Sequence, residues 1–141
     1  MFKGTQSILI SANKIHVYRI ASTYPKFVSF FSKKSQILFE NEHSMKVLVC
    51  TKLLGFLPTQ WIGKGVKHPF QSIKFFQEQG LFKGLEALWT FTETHQGTLA
   101  TIATTFSKKW LAPISENILG ILIVEKTTRK ILMELKRTAE T

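Results

Sequence analysis

The chain has 141 residues, a length that suits one domain with a real hydrophobic core. Its 44% hydrophobic content excludes a disordered chain. Its single cysteine, Cys50, excludes an intrachain disulfide and fits a reducing, cytoplasmic compartment. The formal net charge is +10, and every acidic residue is Glu, so polyanions and anionic membrane surfaces are attracted without any one being specified.

Residues 1–11 lack the long apolar core of a signal peptide. Phe2 to Ile10 alternates as a strand, with Ile8 and Ile10 on one face. Ser11 is the expected N-cap of a short helix over 12–21, with Ile15, Val17 and Tyr18 turned inward. Pro25 suits the first turn of a second short helix carrying Phe27, Val28, Phe30 and Phe31. The period then changes to two. Ser35–Glu42 reads as a strand, 41–44 as a turn, and Met45, Val47 and Val49 as one face of the next strand. Leu54-Gly55-Phe56-Leu57-Pro58 reads as an unusually apolar loop, and Thr59–Val66 as a strand around Trp61, broken by Lys67-His68-Pro69. Strands follow at Gln71–Gln79, at Leu85–Thr94 with Trp89 and Phe91 alternating, and at the Thr-rich Thr98–Phe106. His95-Gln96-Gly97 is a tight turn in which Gly supplies a positive φ. From Pro113 to Glu140 the period returns to 3.6. One long helix of about 25 residues carries a stripe of Ile114, Ile118, Ile121, Val124, Thr128, Ile131, Leu132, Leu135 and Ala139. The result is an α+β chain of one domain, 1–141, with about seven antiparallel strands. A sheet with one apolar face needs a cover, and the last helix is the element long enough to supply it.

Chemistry-bearing patterns are sparse. His16, His43, His68 and His95 are far apart, Cys50 is alone, and no H-E-x-x-H, G-x-S-x-G or Gly-rich phosphate loop occurs. No metal, cofactor or catalytic residue is expected. Glu86 should face away from Trp89 and Phe91, while Glu93 shares their side at the hairpin end, so neither is a placed general acid or base. Lys108-Lys109-Trp110 is the one short basic-aromatic match for nucleic acid, too small a footprint to expect such a partner. Trp61, Phe75, Trp89, Phe91, Ile102 and Phe106 are the candidate wall of an apolar pocket, or ordinary core. Ile118 and Leu122 complete the wall from the helix. Thr90, Thr101 and Thr104 would orient a ligand if they point inward. Leu54, Phe56 and Leu57 are candidates for a lip at the pocket mouth that touches an anionic membrane, or for a dimer contact; a monomer and a homodimer both stay open.

The element order resembles the START-like helix-grip superfamily, and within it the polyketide cyclase/dehydrase and coenzyme Q-binding branch. The matching residues are Ile10-Ser11-Ala12 leading into Val17-Tyr18, then Tyr24-Pro25-Lys26-Phe27. They continue with Gly84-x-x-x-Leu88-Trp89-x-Phe91, Gly97-Thr98, and Ile131-Leu132-x-x-Leu135-Lys136. The resemblance spans essentially the whole chain and rests on order and spacing. It implies a curved sheet gripping the long helix around a deep apolar pocket. Members bind lipids, isoprenoid quinones or polyketide intermediates, some cyclise or dehydrate tethered polyketides, and a related branch comprises ribosome-association toxins. The expected function is therefore non-catalytic binding, transport or sequestration of a hydrophobic small molecule. An aromatase/cyclase or dehydratase and a ribosome- or protein-binding module are the alternatives.

Overall fold

A computed structural model describes residues 2–23, 36–53, 57–79, 83–106 and 124–141, with side chains left aside at Phe2, 51–53 and 57–59. The elements are β1 (Phe2–Ile10), α1 (Lys14–Ser22), β2 (Gln36–Glu40), β3 (Ser44–Leu53), β4 (Leu57–His68), β5 (Ser72–Gln79), β6 (Glu86–Thr94), β7 (Gly97–Phe106) and α2 (Lys126–Ala139). The strands form one seven-stranded, curved antiparallel sheet in the order β1-β7-β6-β5-β4-β3-β2. Six strands thus run as a meander, and the first strand returns to pair with the last.

Alternation sets the two faces of this sheet. Along β7, Thr98, Ala100, Ile102, Thr104 and Phe106 are buried, and the residues between them are half-exposed. Direct partners across a ladder share a face. One row therefore runs Lys67, Ile73, Trp89, Ile102, Gln6, from β4 to β1. The next runs Met45, Gly65, Phe75, Ala87, Thr104, Gly4. These rows make the concave face, which α1 and α2 cover.

The helix α2 presents Thr128, Ile131, Leu132, Leu135 and Ala139 inward, each buried, and Val124 just before it is buried too. Burying each Ile or Leu side chain contributes roughly 1.5–3 kcal/mol. Lys126, Arg129, Lys130 and Arg137 face solvent. The stripe read from the sequence is correct for this stretch, while Ile114, Ile118 and Ile121 lie outside the described residues. The second short helix expected around Pro25 lies outside them as well.

Polar contacts fix both ends of α2. Gln6 Nε2 donates to the Glu125 carbonyl at 3.0 Å, and Lys136 Nζ to the Leu9 carbonyl at 2.9 Å. At the far end the Ser11 amide donates to Glu140 Oε2 at 2.8 Å. His16, protonated on Nε2, donates to the Ala139 carbonyl at 3.1 Å, satisfying one of the orphan acceptors of the helix terminus.

Several boundaries differ from the sequence reading. The N-cap of α1 is Asn13, not Ser11: its side chain accepts the His16 amide at 2.8 Å, while the Ser11 amide is engaged by Glu140. The later start turns Ile15 outward, 48% exposed, and seats Val17, Tyr18, Ile20 and Ala21. The strand β2 ends at Glu40, because Asn41 Oδ1 accepts from the His43 and Ser44 amides at 2.8 Å each and closes the turn. The strand β4 runs from Leu57 to His68, longer at both ends than Thr59–Val66. Leu57 and Pro58 pair with Leu53 and Lys52 rather than forming a loop. Among the described residues the pairing of β4 with β5 ends at Ile62, short of Pro58. Pro69 and Phe70 make the break, and Phe70 adopts a φ of 65°.

The β6–β7 turn is His95-Gln96, closed by the Thr94–Gly97 pair. Gly97 has φ 133°, and a Cβ there would overlap the Ile10 carbonyl. Gly84 has φ 91° with open space around it. Gly97→Ala is therefore expected to destabilise by more than ~2 kcal/mol, and Gly84→Ala by about 1 kcal/mol, in urea unfolding. Equal losses at the two positions would show that the approach to Ile10 relaxes freely.

Candidate ligand-binding site

Trp61, Phe75, Trp89, Phe91, Ile102 and Phe106 all lie on the concave face and are all buried. Phe75 and Trp89 pack with ring centroids 5.1 Å apart at 59°. Tyr18 of α1 reaches the same wall. Its ring meets Phe91 edge-on at 5.8 Å and Phe70 at 5.4 Å, geometries that aromatic quadrupoles favour. Met45, Val47, Val49 and Ile73 extend the apolar surface across β3 and β5.

The remaining candidates divide as follows. Ile118, Leu122, Leu54 and Phe56 lie outside the described residues, and Leu57 opens β4 with its side chain outside them. Of the three threonines that would orient a ligand if they point inward, Thr104 alone is on the concave face, where it is buried. Thr90 and Thr101 pair with each other on the convex face, and Thr101 shares a 2.8 Å hydroxyl hydrogen bond with Ser7. Their parity excludes them, since a shift of one residue along a strand changes the face. Glu86 is on the convex face beside Lys74, 3.8 Å away, and Glu93 is exposed near the hairpin end, as the alternation predicted.

Three polar groups lie on or against this wall; the sequence turned Tyr18 inward without assigning it to the wall, and did not single out Lys67 or Gln77. Lys67 is a concave-face residue, 7% exposed. Its ammonium donates to the Asn41 carbonyl at 3.1 Å and lies 3.9 Å from Glu40. Burial pushes its pKa below the ordinary lysine range, and Glu40 opposes that shift. The Tyr18 hydroxyl is buried without a well-formed hydrogen bond. Burial raises its pKa, with the Ser22 side chain opposing. Gln77 Oε1 is likewise buried with no partner among the described residues. Leaving a buried acceptor unpaired costs about 1–3 kcal/mol. The period-two spacing of Ile73, Phe75 and Gln77 carried the signal for Gln77, and Lys67 read as a strand breaker only because Pro69 follows it.

A cleft opens between β1, β7 and the first turn of α2, where Gly4 stands opposite Thr104 and contributes no side chain. Gln6, Glu125 and Thr128 line it with them, and its free volume is about 10 Å³, room for about one water molecule. That is far below the ~300–1,000 Å³ of a site that engulfs a small molecule. Among the described residues no three His, Cys or Glu side chains gather as metal ligands. No helix among them is long and apolar enough to cross a membrane.

Comparison with known proteins gives these features a context. Residues 10–134 match the model of a family described as polyketide cyclase / dehydrase and lipid transport. No curated protein matches the chain. Among solved structures it is similar to TTHA0849 from Thermus thermophilus, at 18% identity and TM-score 0.77 over 98% of this chain and 97% of that one. It is also similar to the Zhui aromatase/cyclase from Streptomyces sp. R1128, at 14% identity and TM-score 0.77 over 99% and 93%. A third is the di-domain ARO/CYC BexL from the BE-7585A biosynthetic pathway, at 17% identity and TM-score 0.82, where 99% of this chain covers 50% of that one. These identities establish a shared helix-grip fold and no more. The match over residues 10–134 establishes the family: the chain belongs to the polyketide cyclase/dehydrase and lipid transport family.

Proposed function

We propose that the chain binds and carries a hydrophobic small molecule, such as a lipid, an isoprenoid quinone or a polyketide-like compound, without transforming it. The observation that carries this reading is the aromatic concave wall of Trp61, Phe75, Trp89, Phe91 and Phe106 facing the covering helices. Apolar burial would supply affinity at roughly 25 cal/mol per Å². The net charge of +10 would favour collection from an anionic membrane surface. Lys67, the one concave-face ammonium among the described residues, is engaged by Asn41 and Glu40, which supports a structural role rather than proton transfer.

An aromatase/cyclase or dehydratase is the second reading, favoured by the buried Tyr18 hydroxyl, a phenol without a settled partner against the wall. Native mass spectrometry of protein purified from its host is expected to show a co-purified lipid of unchanged structure. Turnover of a polyketide-like substrate that Tyr18→Phe abolishes without unfolding would replace carriage by catalysis.

Binding of an apolar fluorescent probe is expected to weaken in Trp89→Ala with native-like far-UV circular dichroism. A wild-type protein that binds no probe, with Trp89→Ala losing the ~3–5 kcal/mol of a core truncation, would make Trp89 ordinary core.

Lys67 makes a separate prediction. Its folded pKa lies below its unfolded value near 10.5, so the unfolded chain holds more protons between the two. Stability should therefore rise with pH through that window as the buried charge is relieved. Urea midpoints measured across it should rise less in Lys67→Met than in the wild type. Parallel profiles would mean that Lys67 titrates as a solvated lysine.

A further inference from the structure

The unpaired acceptor on β5 points to the kind of ligand the wall accepts. The backbone of Gln77 is fully used in the sheet: its N–H donates to the Leu85 carbonyl and its carbonyl accepts the Gly84 N–H, both at 3.0 Å. Alternation with Ile73 and Phe75 turns its side chain to the concave face, in the row that continues through Gly63 to Val47 on one side and to Leu85 on the other. Gly63 carries no side chain, and the carboxamide lies over it: a Cβ on Gly63 would sit 3.7 Å from Oε1 and 4.0 Å from Nε2. Val47 and Leu85, its buried row neighbours, offer no donor. Oε1 is thus a buried acceptor, in an apolar row, that no described residue satisfies.

We infer that Gln77 is the polar contact for the bound molecule, accepting a hydrogen bond from a hydroxyl on an otherwise apolar, ring-bearing ligand. The inference rests on the carriage reading above and narrows it, because an alcohol, enol or phenol completes the acceptor and a plain hydrocarbon does not. Selectivity follows from the asymmetry of buried hydrogen bonds: a site built to pair a hydroxyl is left with an orphan when the hydroxyl is missing.

The test uses two probes of nearly equal shape, 2-naphthol and 2-methylnaphthalene, titrated against the intrinsic tryptophan fluorescence of the whole chain. Gln77→Leu is expected to weaken 2-naphthol by roughly five- to tenfold, the worth of one such hydrogen bond. It should leave 2-methylnaphthalene unchanged or tighter. Gln77→Met, which keeps the length of the side chain, should behave alike. Both variants should unfold at the same or a higher denaturant concentration than the wild type, since they remove an unpaired buried oxygen. Equal weakening of both probes, or no change for 2-naphthol, would overturn the inference and leave the carriage reading standing. Marked destabilisation of both variants would also overturn it, by showing that the carboxamide has a structural partner. Failure of the wild type to bind either probe would remove the carriage reading and this inference together.

Discussion

Four elements converge where β1 ends, and the convergence depends on residue 97 having no side chain. Gly97 lies against the Ile10 carbonyl, closer than any Cβ would permit. That approach lets Ile10 pair with Thr98, and it lets Thr98 Oγ1 donate to the Ala12 carbonyl at 2.8 Å. The Ala12 amide in turn donates to the Ile10 carbonyl at 2.8 Å, turning the chain out of the strand toward α1. Glu140 takes the neighbouring Ser11 amide, so the end of α2 is tied to the same corner. Its carboxyl is held below the usual range by the Lys136 ammonium and then by that amide. Because strand parity cannot slip by one residue without exchanging faces, this corner determines which side chains of β7 and β1 face inward. The Thr94–Gly97 pair passes the same parity to β6 and so places Trp89 and Phe91 on the wall.

The concave wall is apolar but not uniformly so, and its polar members are treated differently. Lys67 carries a charge into a poorly solvated position and keeps it there by reaching the Asn41 carbonyl across β3. In the same act it fixes the β2–β3 turn, whose backbone already gives the His43 carbonyl to the Lys67 amide at 2.7 Å. Tyr18 packs its ring on Phe70 and Phe91 and buries its hydroxyl near the Ser22 side chain with no well-formed hydrogen bond among the described residues. A core selected for stability alone has little reason to hold idle polar atoms, since apolar residues of similar volume would pack without the penalty. Atoms of this kind are where sequence-level consistency is expected to fail at functional sites.

Much of this architecture was legible because it is periodic. Met45, Val47 and Val49 alternate with half-exposed residues as read, and Val124 just before α2 and Thr128, Ile131, Leu132, Leu135 and Ala139 within it are buried as the stripe requires. Legibility failed where several residues satisfy one local rule equally. Ser11 and Asn13 are both good helix caps, and a residue 129 positions away, Glu140, takes the Ser11 amide. Leu57 and Pro58 look like loop residues until their pairing with Leu53 and Lys52 is known. Gln77 continues the alternation of Ile73 and Phe75, yet glutamine on a strand reads as surface unless the width of the sheet and its covering helices are in view. In each case the missing information was tertiary: which partner arrives, and on which side.

The pairing of β1 with β7 also bears on how the chain reaches this state. Every other ladder joins strands that are neighbours in sequence and can close as hairpins, whereas this one joins residues 2–10 to 98–106. Closing so long a loop carries a larger entropic cost than closing a hairpin, so the meander is set to assemble first and the first strand to dock afterwards. Until it docks, β7 is an open edge of ten residues whose backbone donors and acceptors are free to take a foreign strand. Its threonines on the outward face, together with the absence of proline and charge, make it a good template for such pairing. Docked on β7, the first strand covers that edge as well as forming a part of the wall.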